Sequence, residues 1–454
     1  MTSLDSNHSS SIHCKSMMVT QVQTSKAMKL SPEIVSEIFN NFSTTMTIHN
    51  PHLYPWFLGQ ICAGWRNVFL SPSTRYIEIN VSKFYQRSAS FERVLDILNF
   101  CLKCSEGCPL SFTFRMGTDY YAGEYAYVVD ILNALITQSM RWVTAEFFSL
   151  PIIELRRLHC VKGRIPLLRS FVLTHRTIKP PQEVISNVFE QAPTLKRLLL
   201  SDINVSKFHW ASIESFRLGS LTDAASRKLV AALSQATSLK ELEIGWEDIN
   251  RRSINVDMEK AGNVTLPSLK RLVLHAHNIF EALTAPGLEH LTVNFQGGRN
   301  QNQIKTSISS FIHRSSCPLK HLSLWYADTE VTVEVLSGTP GLSSLLLHDN
   351  CDGIRRAIKS LNCDIPEGAS LIAPRLKSLE MEVPWAEPNT LSMELSAMHM
   401  VASRARNPGV DGLQELSFRT DSTKPGDLII LQWQCEQHNV KLTVGELGES
   451  PFPI

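Results

Sequence analysis

The apolar residues of this chain follow a repeated pattern in which the first, fourth and sixth positions are apolar. The pattern occurs ten times between residues 168 and 418. Because successive side chains of a strand point to opposite faces, the fourth and sixth positions face one side together. Each copy therefore predicts a short strand whose apolar side chains lie in a core shared by stacked repeats. The copies begin at Leu168, Leu195, Ile213, Leu239, Leu269, Leu288, Leu319, Leu342, Leu376 and Leu413, with a weaker eleventh at Leu155.

Helical apolar spacing fills much of the sequence between these strands. It occurs at 91–104, 125–139, 184–192, 224–235, 304–314, 391–404 and 428–436. Further strands are predicted at 109–114 and 141–148. The alternation predicts an α/β fold, an irregular β/α solenoid of leucine-rich-repeat type over residues 82–454. The copies are unevenly spaced and mostly lack the usual Asn, which argues against a regular repeat subtype but not against a β/α solenoid. An ordinary α/β domain with several similar strands stays open as an alternative.

The N-terminal residues have a different pattern. Residues 1–27 are rich in Ser, Thr and Gln, which predicts a disordered tail. Residues 28–81 predict a small all-α module: a helix that begins at Ser31 and Pro32, a loop over 43–54, and a second helix over 56–70. These helices hold more apolar residues than they can bury alone. Part of their surface must therefore meet either the rest of the chain or a partner.

Composition narrows the class of protein. The formal net charge is +1 and charged residues make up 19% of the chain, which argues against a broadly basic nucleic-acid-binding surface. Residues 1–16 have no apolar core of signal-peptide type, and no apolar run is long enough to span a membrane. The ten cysteines show no disulfide framework. We therefore expect a protein of the cytoplasm or nucleus, with no membrane partner.

The sequence offers little catalytic chemistry. Cys101, Cys104 and Cys108 form the one metal-like cluster, but a fourth zinc ligand is not evident, so thiols at a helix end are the preferred interpretation. His275 and His277 also lack further ligands at a suitable spacing. Phosphate-binding glycine loops and a Gly-x-Ser-x-Gly motif are absent. We predict that the chain is not an enzyme and has no metal site and no cofactor.

Two blocks of the N-terminal module carry a family resemblance. Residues 30–39 read L-S-P-E-I-V-S-E-I-F, and residues 58–68 read L-G-Q-I-C-A-G-W-R-N-V. With the following Ser71-Pro72, they resemble the F-box of large fungal families of F-box proteins, here joined to leucine-rich repeats. The resemblance implies that the module binds a Skp-type adaptor. By residue matching, the implied adaptor-contacting set is Leu30, Pro32, Ile34, Ile38, Leu58, Cys62 and Trp65.

The same resemblance implies a function. The chain would recruit a protein substrate to a cullin–RING ubiquitin ligase, with the solenoid binding the target. The alternative is a non-catalytic interaction scaffold whose F-box-like module does not assemble a ligase. Two roles stay open for Trp65, adaptor contact or packing between the helices. The sequence departs from the family at Ser31 and Gly64, and it lacks the usual Leu-Trp after residue 72.

Alternation along the predicted strands also predicts a concave face. Residues two and six positions after the first apolar residue point away from the core, and they include both charge signs, several His residues and one Trp. Trp and Arg are enriched at the energetic centres of protein interfaces, whereas a nucleic-acid groove would be rich in Lys and Arg. We therefore expect a protein ligand near Trp325; a solvated face, with binding elsewhere, is the alternative. The predicted partner-binding residues are Arg271, His275, His321, Trp325 and His348.

Overall fold

The computed structural model describes residues 30–42, 45–48, 61–70, 76–80, 89–116, 125–175, 188–201, 208–219, 223–245, 263–275, 278–295, 301–349, 351–363, 371–383, 390–420 and 429–445. The predicted N-terminal tail, the first part of the predicted second helix, the 184–187 part of the predicted 184–192 helix, Leu58 and His277 lie outside these residues.

Among these described residues, fifteen strands form one sheet, and every neighbouring pair in it is parallel. The strands lie in the sheet in the order in which they occur along the chain, which is the arrangement of a β/α solenoid. In chain order they are β1 (Thr45–Thr47), β2 (Tyr76–Asn80), β3 (Leu110–Arg115), β4 (Trp142–Leu150), β5 (Ser170–His175), β6 (Arg197–Leu200), β7 (Ser215–Leu218), β8 (Glu241–Ile244), β9 (Val264–Thr265), β10 (Arg271–His275), β11 (Leu283–Thr284), β12 (His290–Asn294), β13 (His321–Trp325), β14 (Ser344–His348), β15 (Ser378–Val383), β16 (Glu415–Thr420) and β17 (Lys441–Gly445). Strands β9 and β11 pair separately as a small second sheet.

Helices and 3-10 turns connect many of the strands. The helices are α1 (Pro32–Phe42), α2 (Ala63–Leu70), α3 (Ala89–Cys104), α4 (Tyr125–Thr137), α5 (Ile152–Leu155), α6 (Asp223–Leu233), α7 (Gln301–Ser315), α8 (Thr329–Ser337), α9 (Cys351–Ser360), α10 (Thr390–Arg406) and α11 (Ile429–Gln437). Buried apolar residues of helices and strands belong to one continuous hydrophobic core. The chain is therefore a mixed α/β protein in which stacked β/α units share a core.

The ten strands predicted from the repeated pattern are confirmed, as β5–β8, β10 and β12–β16. Their fourth and sixth positions are core positions: Leu272 and Leu274 of β10 are both 0% exposed. Strands β3 and β4 and helices α3, α4, α6, α7, α10 and α11 also occur where the sequence predicts them, with ends shifted by a few residues. Burial of alternate side chains therefore produces the sheet.

The weak eleventh copy at Leu155 is not a strand, so this prediction is wrong. The segment forms α5 and then a 3-10 helix, Arg156–Val161. Leu155, Leu158 and Val161 are buried at intervals of three residues. A 3-10 helix has three residues per turn, so this spacing buries one face of such a helix. The first two apolar positions of the repeated pattern have the same spacing, which explains the mistaken assignment.

An all-α N-terminal module was expected, but the module also contains two strands. Helices α1 and α2 are present, but β1 lies in the predicted loop over 43–54, and β2 lies before residue 81. Both belong to the large sheet, because β1 pairs with β2 and β2 pairs with β3. Apolar residues alternate in the sequence Y-I-E-I-N of β2, a pattern typical of a strand. The domain boundary at residue 81 stays a prediction, and the sheet crosses it.

Candidate interaction surfaces

Helices α1 and α2 contact each other and divide their apolar residues between an interior and an exposed set. Val35 and Trp65 are 1% and 7% exposed and belong to the core. Ile38 and Cys62 are half-buried against it. By contrast, Leu30, Ile34 and Ile61 are 37%, 51% and 39% exposed. The exposed set leaves apolar surface available for a partner.

This division separates the residues of the predicted adaptor-contacting set. Leu30, Pro32 and Ile34 are exposed at the start of α1, where a partner could reach them. Trp65 is buried, so of the two roles left open for it the structure favours packing between the helices. Exposed Ile61 was not part of the predicted set. It directly precedes half-buried Cys62, so the residues before α2 also include an exposed apolar side chain.

The second candidate surface is the face of the large sheet opposite the leucine core, here called the open face. Parallel pairing in register places side by side the residues that lie six positions after the first apolar residue in six repeats, so that each residue is the direct neighbour of the next. We call this row the ladder. Its members, from β10 to β16, are His275, Asn294, Trp325, His348, Glu382 and Arg419.

Side chains of the ladder contact one another across the strands. The amide Nδ2 of Asn294 donates to Nδ1 of His275 at 3.3 Å. The ring planes of Trp325 and His348 are stacked, with centroids 4.0 Å apart. Nδ1 of His348 donates to a carboxylate oxygen of Glu382 at 3.1 Å. These contacts join His275 to Asn294, and they join Trp325, His348 and Glu382 in a second group of polar and aromatic side chains.

Two further residues complete the network around His348. The hydroxyl of Tyr326, which follows β13, donates to Nε2 of His348 at 3.1 Å. Burial raises the pKa of the Tyr326 hydroxyl, with a smaller contribution from the charge of Asp349, so the hydroxyl keeps its proton as a donor. Arg419 lies 3.6 Å from Glu382 and 2.9 Å from Glu380. Nδ1 of His348 is bonded to Glu382 and Nε2 to Tyr326, and these two bonds fix the orientation of the ring.

The ladder is less accessible than the sequence analysis expected. His275, Trp325 and His348 are 5%, 8% and 7% exposed, so these three predicted partner-binding residues offer little surface to a ligand. Cross-strand contacts cover much of these side chains. Arg271 and His321 are exposed on the same face and remain accessible.

His321 forms a pair with His290. Each lies two positions after the first apolar residue of its own repeat. The two strands are in register, and the imidazole rings are parallel with centroids 4.2 Å apart. Burial is the first cause that lowers the pKa of each ring. For His290, the neighbouring His321 and Arg271 lower the pKa further, whereas Glu289 raises it. Protonation of the pair is therefore disfavoured in the folded protein.

We expect this pair to make the stability of the folded protein sensitive to acid. Because the folded pKa values lie below the ordinary value of 6.5, the unfolded chain binds more protons as pH falls through that value. Stability should therefore fall from near pH 6.5 downward until the folded pKa values are passed. We expect the double variant His290→Gln with His321→Gln to lose less stability than the wild type between about pH 7.5 and pH 5.5. Urea unfolding at both pH values measures this difference.

The matched control for this prediction is His313→Gln, which changes an exposed histidine on α7. It should leave the pH dependence of stability as in the wild type. Equal loss of stability on acidification in the wild type and the double variant would show that the stacked pair does not contribute.

The cysteine cluster has a structural explanation. Cys101 is buried in α3, and Cys104 and Cys108 are half-buried at the end of this helix. The guanidinium of Arg141 donates to the carbonyl oxygens of Ser105 and Cys108, the latter at 2.7 Å, and so satisfies backbone groups there. Among the residues that the structure describes, no group of three or more His, Cys, Asp or Glu residues could hold a metal ion.

Comparisons with known proteins complete the description. No protein-family model matches the chain, and no curated protein matches it. The chain is similar to a solved structure, the crystal structure of the Rad7 and Elc1 complex in yeast, with 14% identity and a TM-score of 0.37. The match covers 92% of this chain and 94% of that chain. This likeness is too low to indicate a shared family or function. None of the described helices is both long and apolar enough to cross a membrane.

Proposed function

We propose that this chain is a non-catalytic, substrate-recruiting subunit of a cullin–RING ubiquitin ligase. In this proposal the N-terminal helices bind a Skp-type adaptor as an F-box does, and a leucine-rich-repeat solenoid binds the target protein. The protein would act in the cytoplasm or nucleus, where such ligases assemble.

The observation that carries the adaptor-binding part is the exposed apolar surface of Leu30, Ile34 and Ile61. Leu30 and Ile34 belong to the block that resembles an F-box, and Ile61 lies in the second block. Both F-box-like blocks thus carry exposed apolar side chains that another protein could cover. The parallel β/α array supports the second part, because stacked repeats present an extended surface for binding.

Adaptor binding can be tested by co-purification of the tagged full chain with a Skp-type adaptor and a cullin. We expect both to be retained by the wild type. The double variant Leu30→Asp with Ile34→Asp should reduce adaptor retention at least about tenfold, since it places two charges in an apolar interface. Both positions are exposed in the free chain, so the fold should be preserved.

Ile153→Asp is the matched control. Ile153 is 61% exposed and lies in α5, far along the chain from the F-box-like blocks. It should retain the adaptor as the wild type does. Retention of the adaptor without a cullin would favour the interaction scaffold, and loss of neither protein in the double variant would overturn the proposed adaptor surface.

A further inference from the structure

A row of charged residues lies where the strands of the solenoid begin. We define the rim as the first two residues after the first apolar residue in each repeat from Leu168 to Leu319. It contains seven Lys or Arg residues and three Glu residues, which leaves an excess of four positive charges. The whole chain has a formal net charge of only +1. Positive charge is therefore concentrated at this edge of the sheet.

Backbone hydrogen bonds hold the rim in a line. The carbonyl oxygen of Arg169 accepts from the N–H groups of Lys196 and Arg197 at 2.9 and 3.0 Å. The carbonyl oxygen of Lys240 likewise accepts from Lys270 and Arg271 at 2.8 and 3.0 Å. The same arrangement recurs between the other neighbouring strands of the rim. Rim residues are thus fixed at the spacing of adjacent strands, about 4.8 Å.

Two of the three rim carboxylates are each held between two lysines. Glu214 lies 2.6 Å from Nζ of Lys196 and 2.8 Å from Nζ of Lys240. Hydrogen bonds from these lysines lower the pKa of Glu214 to about 2. The two lysines and the one carboxylate together have a net charge of +1, and the carboxylate stays ionised at any pH near neutrality.

Glu289 repeats this arrangement farther along the rim. It lies 2.6 Å from Nζ of Lys270 and 2.9 Å from Nζ of Lys320. Hydrogen bonds from these two lysines lower the pKa of Glu289 to about 2. Near these groups, Arg197 and Arg271 lie two residues after the first apolar residue of their repeats, and both are exposed. They add two cations that a ligand can reach.

We propose that the rim binds an acidic polypeptide segment in extended conformation, and that this segment belongs to the target of the proposed ligase subunit. Strands β6 and β10 are three steps apart in the sheet, so Arg197 and Arg271 are separated by roughly 14 Å. An extended chain covers that distance in about four residues. A segment with a carboxylate at every fourth residue therefore matches both arginines. This identification of the target rests on the proposed function.

The rim favours a polypeptide over a nucleic acid. Glu214, Glu241 and Glu289 interrupt the cations at intervals. A nucleic acid has a phosphate on every nucleotide, so some phosphates would face these ionised carboxylates. A polypeptide can place acidic residues opposite the cations and neutral residues opposite the carboxylates. Charge complementarity thus selects a spaced acidic segment.

Fluorescence anisotropy with the purified full chain tests the proposal. The probe is a labelled synthetic peptide with Glu at every fourth residue and Ser or Gly between, and the control peptide has Gln in place of Glu. We expect the Glu peptide to bind more tightly at low salt and to weaken as salt is added. The double variant Arg197→Gln with Arg271→Gln should weaken binding by about fivefold to twentyfold.

Two single variants sharpen the test. Glu214→Gln removes a negative charge and releases two lysines, so it should bind the Glu peptide more tightly than the wild type. Arg156→Gln changes an exposed arginine of the 3-10 helix Arg156–Val161, outside the rim, and should leave binding unchanged. Thermal unfolding of each variant verifies that the fold is preserved.

Three results would overturn the proposal. The first is unchanged binding of the Glu peptide by the double arginine variant, and the second is weaker binding by Glu214→Gln. The third is a short DNA duplex that binds more tightly than the Glu peptide and loses affinity equally in the double variant. The assay contains no adaptor and no cullin. Its failure is therefore separate from failure of adaptor co-purification, which tests the proposed function by itself.

Discussion

Replacement of Phe147 by Ala is expected to lower the free energy of unfolding by about 3–5 kcal/mol. Phe147 lies on β4 and is 0% exposed. Its ring centroid lies 5.4 Å from that of Phe112, 5.8 Å from that of Trp142 and 6.0 Å from that of Phe171. These rings come from three adjacent strands, so the substitution leaves a cavity at the centre of an aromatic cluster that joins them.

Phe148→Ala is the matched control, because it changes the next residue on the same strand. Phe148 is half-buried on the opposite face, where the guanidinium of Arg115 lies 4.0 Å from its ring centroid. We expect this variant to cost roughly 1–2 kcal/mol, for the loss of a cation–π contact and of some packing. Urea unfolding curves of the two variants and the wild type give both values. Equal losses would contradict the assigned role of Phe147 in the core.

The sheet could be predicted from the sequence because its strands depend on burial of alternate residues. Leu272 and Leu274 are core positions in any arrangement that buries the apolar face of β10. Helix α9 has no counterpart among the predicted elements, although Ile354, Ala357 and Ile358 are buried at helical spacing. This spacing is present in the sequence itself, so α9 could have been predicted from the same periodicity as the other helices.

Accessibility of the open face could not be predicted, for a physical reason. Alternation predicts that Trp325 and His348 point away from the leucine core. Their burial depends on contact between residues far apart in the sequence, which requires the register between β13 and β14. The ion pairs of the rim depend on register in the same way, since Glu289 meets lysines from two other repeats. A single sequence shows the pattern within each repeat but not the register between repeats.

Glu382 gives the second large expected effect. Its side chain is 5% exposed, accepts a hydrogen bond from Nδ1 of His348 and lies 3.6 Å from Arg419. Glu382→Ala would leave the buried imidazole N–H of His348 without this acceptor and would remove a charged partner of Arg419. We expect the free energy of unfolding to fall by about 2–4 kcal/mol, as when one partner of a buried polar pair is removed.

Glu380→Ala provides the comparison on the same strand. Glu380 also pairs with Arg419, at 2.9 Å, but the Arg419 side chain is 44% exposed and that of Glu380 is 26% exposed. Burial raises the pKa of the Glu380 carboxyl, so the cost of desolvating this group offsets much of its attraction to Arg419, and the loss should stay below about 1 kcal/mol. Urea unfolding of both variants compares the two carboxylates, and similar losses would mean that the contact with His348 adds little.

A double-mutant cycle then isolates the contact between the two ladder residues. If the hydrogen bond from His348 to Glu382 carries the effect, the combined variant Glu382→Ala with His348→Ala should lose less stability than the sum of the single losses. The second substitution removes the donor that the first leaves unsatisfied. It also removes the stacking of His348 on Trp325, which adds to the loss in the single His348→Ala variant. Additive losses would instead assign the role of Glu382 to Arg419, and His348 and Glu382 would then contribute to stability separately.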